Sequence, residues 1–295
     1  MNLESILTIT TYLTTGREKM DKIVLLGARG MLGSEIYNLC GKDNITPFDL
    51  PDFDITDKNQ LEKAVGDAKV VINCAAFTDV EKAESQTGLA FKVNGQAVGN
   101  LAQIAHKKNI YVIYISTDFV FDGKKETPYL ETDQTNPINA YGKSKLEGEI
   151  LLAKNHNYYS IIRLEWTYGK NGNNFISKLI SLSRQKSSLK VVDDQFGSPT
   201  WAQEAAKVIC QFIAKKPQGI FHYAAAGFAG RYDVAKFAFE KLKISASIIP
   251  CKSSEFPSAA VRPANSRFCC DKIQSLLDKS IELWQKPLER YLKTL

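Results

Sequence analysis

Three side chains in the middle of the chain have the types and spacing of a group that protonates a carbonyl. Tyr141 and Lys145 are four residues apart, about one turn of an α-helix, so they share a helix face. Thr117 lies just beyond an apolar stretch, residues 111–115, that is typical of a buried strand. A free tyrosine has a pKa of about 10, and a nearby ammonium reduces the cost of removing its proton. These three groups could therefore protonate a carbonyl while another group delivers hydride.

A glycine-rich turn near the start of the chain is a candidate site for the hydride carrier. Gly27, Gly30 and Gly33 follow the apolar segment KIVLLG and precede the helical pattern SEIYNLC. Such glycines let the backbone approach a pyrophosphate, whose charge is met by the helix N-terminus. Asp49 lies 22 positions past Gly27 (49 − 27), where a carboxylate would bind a ribose 2′-hydroxyl of NADH. Arg29 would instead attract the 2′-phosphate of NADPH, so both cofactors stay open.

Strand-like and helix-like segments alternate along the first half of the chain. Strands are predicted at residues 22–27, 45–48, 70–74, 111–115 and 159–164, and helices over SEIYNLC and at residues 56–65, 89–108 and 141–153. This alternation predicts an α/β fold with a doubly wound parallel sheet and right-handed crossovers. After residue 169 the pattern is less regular. We expect this part to add a strand or two and to form a smaller C-terminal substrate-binding lobe.

The predicted organisation has three parts. Residues 1–19 lack the charge pattern and apolar core of a signal peptide, and we expect a flexible N-terminal extension, with an interaction helix as the alternative. Residues 20–169 are predicted to form the NAD(P)-binding domain. Residues 170–295 are predicted to form mainly the substrate-binding lobe, with some segments returning to the sheet.

Composition excludes several classes of function. The net charge of +6 lies in separated pairs such as Lys107-Lys108, so a nucleic-acid groove is not expected. No apolar run approaches the length of a membrane span. The six cysteines show no CxxC spacing and the three histidines are far apart, so no metal site is expected. The cysteines are predicted to be reduced, as in a cytoplasmic protein.

The GxxGxxG turn together with the YxxxK pair resembles the extended short-chain dehydrogenase/reductase superfamily. The resemblance implies a Rossmann-like fold in which Lys145 also holds the nicotinamide ribose. It assigns further cofactor contacts within the glycine turn, beside the adenine and in the loop after the third strand: Met31, Leu32, Asp54, Ile55, Ala75, Ala76 and Thr78. Ordinary helix–strand packing is the alternative explanation for Ala75 and Ala76.

Six stretches resemble a narrower family. CAAFTDVEKAE, STDFVFDG, AYGKSKLEGE, RLEWTYG, DDQFGSPT and RPANSRF closely resemble dTDP-4-dehydrorhamnose reductases, and the resemblance extends from Lys22 to the C-terminus. That family reduces the C4 ketone of dTDP-4-dehydro-L-rhamnose with NAD(P)H, which completes dTDP-L-rhamnose for cell-surface polysaccharide. The resemblance implies that Thr117, Tyr141 and Lys145 are catalytic, with Tyr141 as proton donor. It places Val80, Thr117, Asp118 and Trp166 against the sugar nucleotide.

Departures from the family pattern leave the substrate open. Glu165 occupies a position that is usually small or hydroxylic, and its carboxylate could repel a diphosphate or reshape the pocket. Trp166 could be a stacking wall for the ligand or could simply pack within the lobe. The alternatives are a reductase or epimerase of another nucleotide sugar, and a non-catalytic regulatory subunit like the methionine adenosyltransferase beta subunit. A homodimer stays open, and nothing in the sequence indicates a requirement for Mg²⁺.

Overall fold

A six-stranded parallel sheet lies at the centre of the computed structural model, which describes residues 21–41, 43–256 and 258–295. The N-terminal extension predicted at residues 1–19 lies outside the described residues. The strands in chain order are β1 (Ile23–Leu26), β2 (Ile45–Phe48), β3 (Val70–Asn73), β4 (Tyr111–Thr117), β5 (Tyr159–Leu164), β6 (Thr167–Tyr168), β7 (Ser188–Val192), β8 (Phe196–Gly197), β9 (Thr200–Trp201), β10 (Gly219–Tyr223), β11 (Ala229–Gly230) and β12 (Ser247–Cys251).

Helices alternate with these strands. In chain order they are α1 (Met31–Leu39), α2 (Lys58–Val65), α3 (Val80–Ser85), α4 (Thr87–Phe91), α5 (Ala97–Lys108), α6 (Ala140–Asn155), α7 (Phe175–Ser183), α8 (Ala202–Lys215), α9 (Arg231–Leu242), α10 (Asp271–Gln274) and α11 (Gln285–Leu292). Local sequence explains several ends. Asp57 caps α2, since its carboxylate accepts hydrogen bonds from the N–H groups of Asn59 and Gln60. Asn109, with φ of 50°, ends α5 in the left-handed conformation that asparagine tolerates.

The sheet order is β10-β5-β4-β3-β1-β2, and all neighbouring pairs are parallel. The doubly wound α/β fold is therefore confirmed. The chain reverses its direction of winding between β1 and β3, so a crevice opens there at the carboxyl edge of the sheet, the usual ligand site of such folds. Strand β4 continues to Thr117, two residues past the predicted end, and this carries the threonine directly to that edge.

Both faces of the sheet are covered by helices. On one face, Ile23 and Leu25 of β1 pack in the same core as residues of α1 and α8. On the other face, Val24 and Leu26 pack with residues of α2 and α5. This alternation buries every side chain of β1, which explains why the segment is continuously apolar.

One expectation about the cysteines is wrong. Cys40, at the end of α1, and Cys210, within α8, form a disulfide with a Cα–Cα distance of 6.1 Å. The two residues are 170 positions apart in sequence, so their proximity arises only when α1 and α8 pack side by side. The other four cysteines are free.

The single helix predicted at residues 89–108 is also wrong. Thr87 begins α4, and a π-helical segment, Lys92–Gln96, separates α4 from α5. The segment packs closely against α6, since a Cβ added at Gly95 would lie 2.8 Å from the side chain of Glu147. Short π segments of this kind often occur at functional sites.

The later residues form short two-stranded pairs beside the main sheet. Strand β6 pairs with β9, β7 with β12 and β8 with β11, and helices α7, α9 and α11 pack around them. Helix α8 and strand β10 also follow residue 170, yet they pack on the sheet and within it. The domain boundary near residue 170 stays a prediction.

Neither a membrane-spanning helix nor a cluster of metal-ligand side chains is present among the residues that the structure describes. None of the helices there is both long enough and apolar enough to cross a membrane. Nor do three or more His, Cys, Asp or Glu side chains in these ranges converge in a group that could hold a metal ion.

Candidate active site

The glycine turn forms a cradle at the carboxyl end of β1. Gly27 has φ of +79°, and a Cβ there would lie 2.5 Å from the Ala75 backbone nitrogen. A Cβ on Gly33 would lie 2.0 Å from the Gly27 carbonyl oxygen, so both positions require glycine. Gly30 is the N-cap of α1, and Met31 and Leu32 form its first turn, whose N–H groups have no intrahelical acceptors. The cradle therefore fits the pyrophosphate of a dinucleotide.

Asp49 and Arg29 face each other at the end of β2. The Asp49 carboxylate accepts hydrogen bonds from the Arg29 N–H at 2.7 Å and the Leu50 N–H at 2.8 Å. The Arg29 guanidinium instead reaches away, to the Leu50 carbonyl oxygen and to Asp52, at 2.6 Å each. Asp49, which is expected to favour NADH, and Arg29, which is expected to favour NADPH, thus lie together at one site.

The other residues that were predicted to contact the cofactor differ in how deeply they are buried. Ile55 is buried in the core, whereas Asp54 is exposed and its carboxylate accepts the Thr56 N–H at 2.9 Å. Ala75 and Ala76 are half-buried in the loop after β3, and Thr78 is exposed. Ala75 also packs against the core, so ordinary packing explains part of its small size.

Asn94, which sequence reasoning missed, holds the loop after β3 in place. The side chain is fully buried in the π-helical segment. Its Oδ1 accepts the Phe77 N–H at 2.8 Å, and its Nδ2 donates to the Phe77 carbonyl oxygen at 3.0 Å and to the Ser144 hydroxyl at 2.9 Å. Asn94 therefore links this loop to the helix that carries Tyr141 and Lys145.

Helix α6 is positioned by its N-cap. The Asn139 side chain accepts the Gly142 N–H at 2.8 Å and donates to the Val261 carbonyl oxygen at 2.8 Å. A Cβ on Gly142 would lie 2.1 Å from the Phe119 carbonyl oxygen, so the first turn packs directly on the segment after β4. The asparagine before AYGKSK is a recognisable cap signal.

The structure brings Tyr141, Thr117 and Asp118 together at the end of β4. The Thr117 hydroxyl lies beside the Tyr141 phenol and donates to Asp118 Oδ1 at 3.0 Å. Asp118 also accepts a hydrogen bond from the Ser266 hydroxyl. Burial raises the pKa of the Tyr141 phenol, Asp118 raises it further, and the Thr117 hydrogen bond opposes both. The phenol is therefore protonated at neutral pH, as a proton donor must be.

Lys145 lies on the same helix but uses different partners. Its ammonium donates to the Ile115 carbonyl oxygen at 2.6 Å and lies 4.1 Å from the centroid of the Tyr114 ring. Burial lowers the pKa of Lys145 to about 7, while Glu149 and Cys74 act in the opposite direction. The expected lowering of the Tyr141 pKa by this ammonium is not found, because the ammonium is directed to the Ile115 carbonyl oxygen and the pKa of the phenol is set mainly by burial.

A buried ion pair lies behind this helix face. Glu149 is four residues from Lys145, and it accepts hydrogen bonds from Arg163 at 2.9 and 2.6 Å and from the Ser116 hydroxyl at 2.5 Å. Arg163 also contacts His222 at 3.3 Å. Burial, with a further contribution from Arg163, lowers the pKa of His222 to about 3, so the imidazole is neutral. Sequence reasoning missed this network, whose members come from α6, β4, β5 and β10.

Glu165 and Trp166 follow β5 at the same edge. The Glu165 side chain is fully buried, and among the described residues neither oxygen has a well-formed hydrogen bond, although the Ser198 and Phe268 N–H groups lie near. Burial and the neighbouring Asp118 raise the pKa of Glu165 well above its usual range. Burial therefore favours the neutral form of Glu165, which weakens the expected repulsion of a diphosphate.

Trp166 is held in an unusual backbone conformation, with φ of 44°. One ring face carries the Arg231 guanidinium, whose Cζ lies 3.7 Å from the ring centroid. A Cβ added at Gly197 would lie 2.7 Å from the ring, so β8 packs closely against it. Lobe packing therefore explains part of the role of Trp166.

Val80 begins α3, beside Glu81, which binds Arg262.

The loop DDQFGSPT has a structural role in its first residues. Lys252 donates to Asp193 at 2.9 Å, and Ser253 donates to Asp194 through its N–H at 2.9 Å and its hydroxyl at 2.7 Å. These contacts join the ends of β7 and β12.

Comparison with known proteins gives consistent results. The family model described as RmlD substrate binding domain matches residues 20–295. The dTDP-4-dehydrorhamnose reductase of Sinorhizobium fredii is 36% identical over 81% of this chain and 86% of that protein. The dTDP-4-keto-6-deoxy-D-glucose reductase of Streptomyces niveus is 35% identical over 82% of this chain and 86% of that protein.

A solved structure has the same overall fold. The crystal structure of dTDP-4-dehydrorhamnose reductase from Bacillus anthracis in complex with NADP is 32% identical, with a TM-score of 0.89. The match covers 93% of this chain and 99% of that one. The chain therefore belongs to the dTDP-4-dehydrorhamnose reductases, a family of oxidoreductases.

Proposed function

We propose that this protein reduces the C4 ketone of dTDP-4-dehydro-L-rhamnose to dTDP-L-rhamnose with NADPH or NADH. The observation that carries the proposal is the buried Tyr141 phenol beside the Thr117 hydroxyl at the carboxyl edge of β4, in a sheet whose first strand ends in the glycine cradle. Support also comes from relatives that are named for this reaction and from the related structure in complex with NADP.

The roles of the site residues follow from their chemistry. The nicotinamide cofactor supplies hydride to the carbonyl carbon when it is bound. Tyr141 donates its phenolic proton to the ketone oxygen, and Thr117 donates a hydrogen bond to the same oxygen and orients it. Lys145 holds the nicotinamide ribose, and solvent returns the proton to Tyr141 after the reaction. In the structure the Thr117 hydroxyl donates to Asp118 at 3.0 Å, so it must rotate toward the ketone oxygen when the substrate binds.

A direct assay tests this proposal. Purified protein is mixed with dTDP-4-dehydro-L-rhamnose and NADPH or NADH, and oxidation of the cofactor is followed by absorbance. Mass spectrometry of the sugar nucleotide must show the gain of two hydrogens. Cofactor binding without any oxidation would contradict the proposal and favour a regulatory role.

Reduction of a different nucleotide sugar is the second candidate. The buried carboxyl of Glu165 and the stacked Arg231 both lie near Asp118, which is expected to contact the substrate. A relative of similar identity is named for dTDP-4-keto-6-deoxy-D-glucose. Comparing kcat/KM for the two ketosugars separates the candidates. Turnover without net cofactor oxidation would instead indicate an epimerase.

We further propose a homodimer. Leu89 on α4 and Ile150 on α6 are exposed apolar side chains, 45% and 51% accessible, on two helices that pack together. A second copy that bound there would bury both. Light scattering should give twice the monomer mass, and Ile150→Glu should shift it toward the monomer. A monomeric wild-type protein would exclude this assembly.

A cytoplasmic location remains part of the proposal, although the Cys40–Cys210 disulfide is uncommon in reducing compartments. Titration of free thiols in protein denatured immediately after cell lysis under alkylating conditions tests it. Six alkylated cysteines would fit a reducing compartment, whereas four would indicate that the disulfide persists in the cell.

A further inference from the structure

The Arg231 guanidinium is fixed between two aromatic rings. Arg231 is the first residue of α9, and its Cζ lies 3.7 Å from the Trp166 ring centroid and 4.8 Å from that of Phe175. Its backbone N–H donates to the Gln195 carbonyl oxygen at 3.2 Å. Within the described ranges, its guanidinium donates no hydrogen bond. Stacking orients the plane of this cation and leaves its N–H edge available for a ligand.

A second guanidinium lies near the first, but it is already paired. Arg262 binds Glu81 at 2.6 Å and donates to the Ser258 hydroxyl at 2.7 Å. Burial lowers the pKa of Arg231 to about 10, and repulsion by Arg262 contributes. Arg231 nevertheless stays charged at neutral pH. The two cations thus create a positive potential on one side of the site, and only Arg262 has an ion-pair partner there.

The carboxyl groups that face Arg231 do not neutralise it well. Asp118 and Glu165 both attract the guanidinium, yet burial raises the pKa of each of them. Asp118 is also engaged by the hydroxyls of Thr117 and Ser266. A desolvated cation without a full counter-charge is costly, and an anionic ligand would remove this cost.

Asp118 relates the position of Arg231 to that of the proposed catalytic residues. Its carboxylate accepts a hydrogen bond from Thr117, whose hydroxyl lies beside the Tyr141 phenol, and it also attracts Arg231. A hexose ring whose C4 oxygen lies at Tyr141 carries its diphosphate on C1, across the ring. Arg231 therefore shares Asp118 with the proposed catalytic residues without being one of the groups that contact the C4 oxygen.

We propose that Arg231 binds the diphosphate of the nucleotide sugar, with Arg262 adding positive potential and Trp166 holding the guanidinium in plane. The planar fork of arginine suits two phosphate oxygens. This inference deepens the proposed function, because it takes from it that the substrate is a nucleotide sugar.

Binding measurements without turnover test the inference. Calorimetric titrations with dTDP and with thymidine are compared for wild type, Arg231→Gln and Arg231→Lys, all saturated with NADPH. Arg184→Gln, at an exposed position after α7, is the matched control. We expect Arg231→Gln to raise the Kd for dTDP roughly tenfold or more and to leave that for thymidine unchanged. Arg231→Lys should recover part of the loss, and Arg184→Gln should behave as wild type.

Each contrary outcome has a clear meaning. If Arg231→Gln binds dTDP as tightly as wild type, the inference is wrong, even when its KM for the sugar nucleotide rises. An equal loss for dTDP and thymidine would also overturn it, because a diphosphate contact cannot weaken the nucleoside alone. Unchanged affinity for NADPH verifies that each variant is folded. Since no turnover is measured, failure of the proposed reaction would leave the binding result interpretable.

Discussion

Arg163 and Glu149 form a two-point ion pair, with Nε–Oε1 at 2.9 Å and Nη2–Oε2 at 2.6 Å. Their side chains are only 3% and 4% exposed. Glu149 is on α6, one turn beyond Lys145, and Arg163 is on β5. The pair therefore fixes the helix with the proposed catalytic residues against the sheet.

Loss of the Glu149 charge should destabilise the fold strongly. Glu149→Gln would leave the Arg163 guanidinium buried without its counter-ion, and breaking a buried pair from one side costs about 3–5 kcal/mol. Denaturant unfolding monitored by circular dichroism measures this change. Asp278→Asn, which breaks the exposed pair with Lys215, is expected to change stability far less. Similar effects in the two variants would show that the buried pair has no special role.

Cofactor affinity should depend on pH through Lys145. The pKa of this lysine is lowered to about 7, so its positive charge is present below pH 7 and is lost above it. Binding to an anionic dinucleotide favours the charged form, and affinity must therefore fall as pH rises. We expect the Kd for NADH to increase roughly tenfold from pH 6 to pH 8.

Fluorescence titrations with NADH measure this dependence without a titrating 2′-phosphate. Lys145→Met should bind NADH weakly at every pH, and Lys145→Arg should bind it without the transition near pH 7. A wild-type Kd that stays constant from pH 6 to pH 8 would contradict the assignment of Lys145 to the ribose.

The choice between NADH and NADPH should depend on Asp49. Its carboxylate would repel a 2′-phosphate, while the Arg29 guanidinium is held by Asp52. Asp49→Ala is expected to raise the ratio of kcat/KM for NADPH to that for NADH roughly tenfold. Asp52→Ala, which frees Arg29, should change the ratio in the same direction, and Arg29→Met should reverse it. An unchanged ratio in Asp49→Ala would exclude the role assigned to that carboxylate.

The fold was largely predictable because its signals are local. Apolar runs, glycine spacing and cap residues lie within short segments, and strands β2 and β5 begin and end at the predicted residues. The helix at residues 89–108 was not predictable in detail. Its π-helical segment depends on Asn94 bonding to Phe77 and Ser144, which are 17 and 50 positions away.

Electrostatics and long-range pairs limited prediction of the site. The types of Tyr141, Lys145 and Thr117 were evident, but the burial that raises one pKa and lowers another exists only in the folded chain. The sequence indicates a negative charge at Glu165, and only its complete burial in the folded chain raises its pKa and favours the neutral form. The Cys40–Cys210 disulfide could not be predicted, because nothing local indicates that α1 and α8 are adjacent.

The central claim is that Tyr141 protonates the ketone oxygen. Its most direct test is the single-turnover rate of NADPH oxidation with dTDP-4-dehydro-L-rhamnose in Tyr141→Phe, with Tyr232→Phe as a control outside the site. We expect Tyr141→Phe to lower this rate by roughly 10²–10⁴-fold while the Kd for NADPH and the unfolding midpoint stay near wild type. A rate equal to that of wild type and Tyr232→Phe would contradict the account.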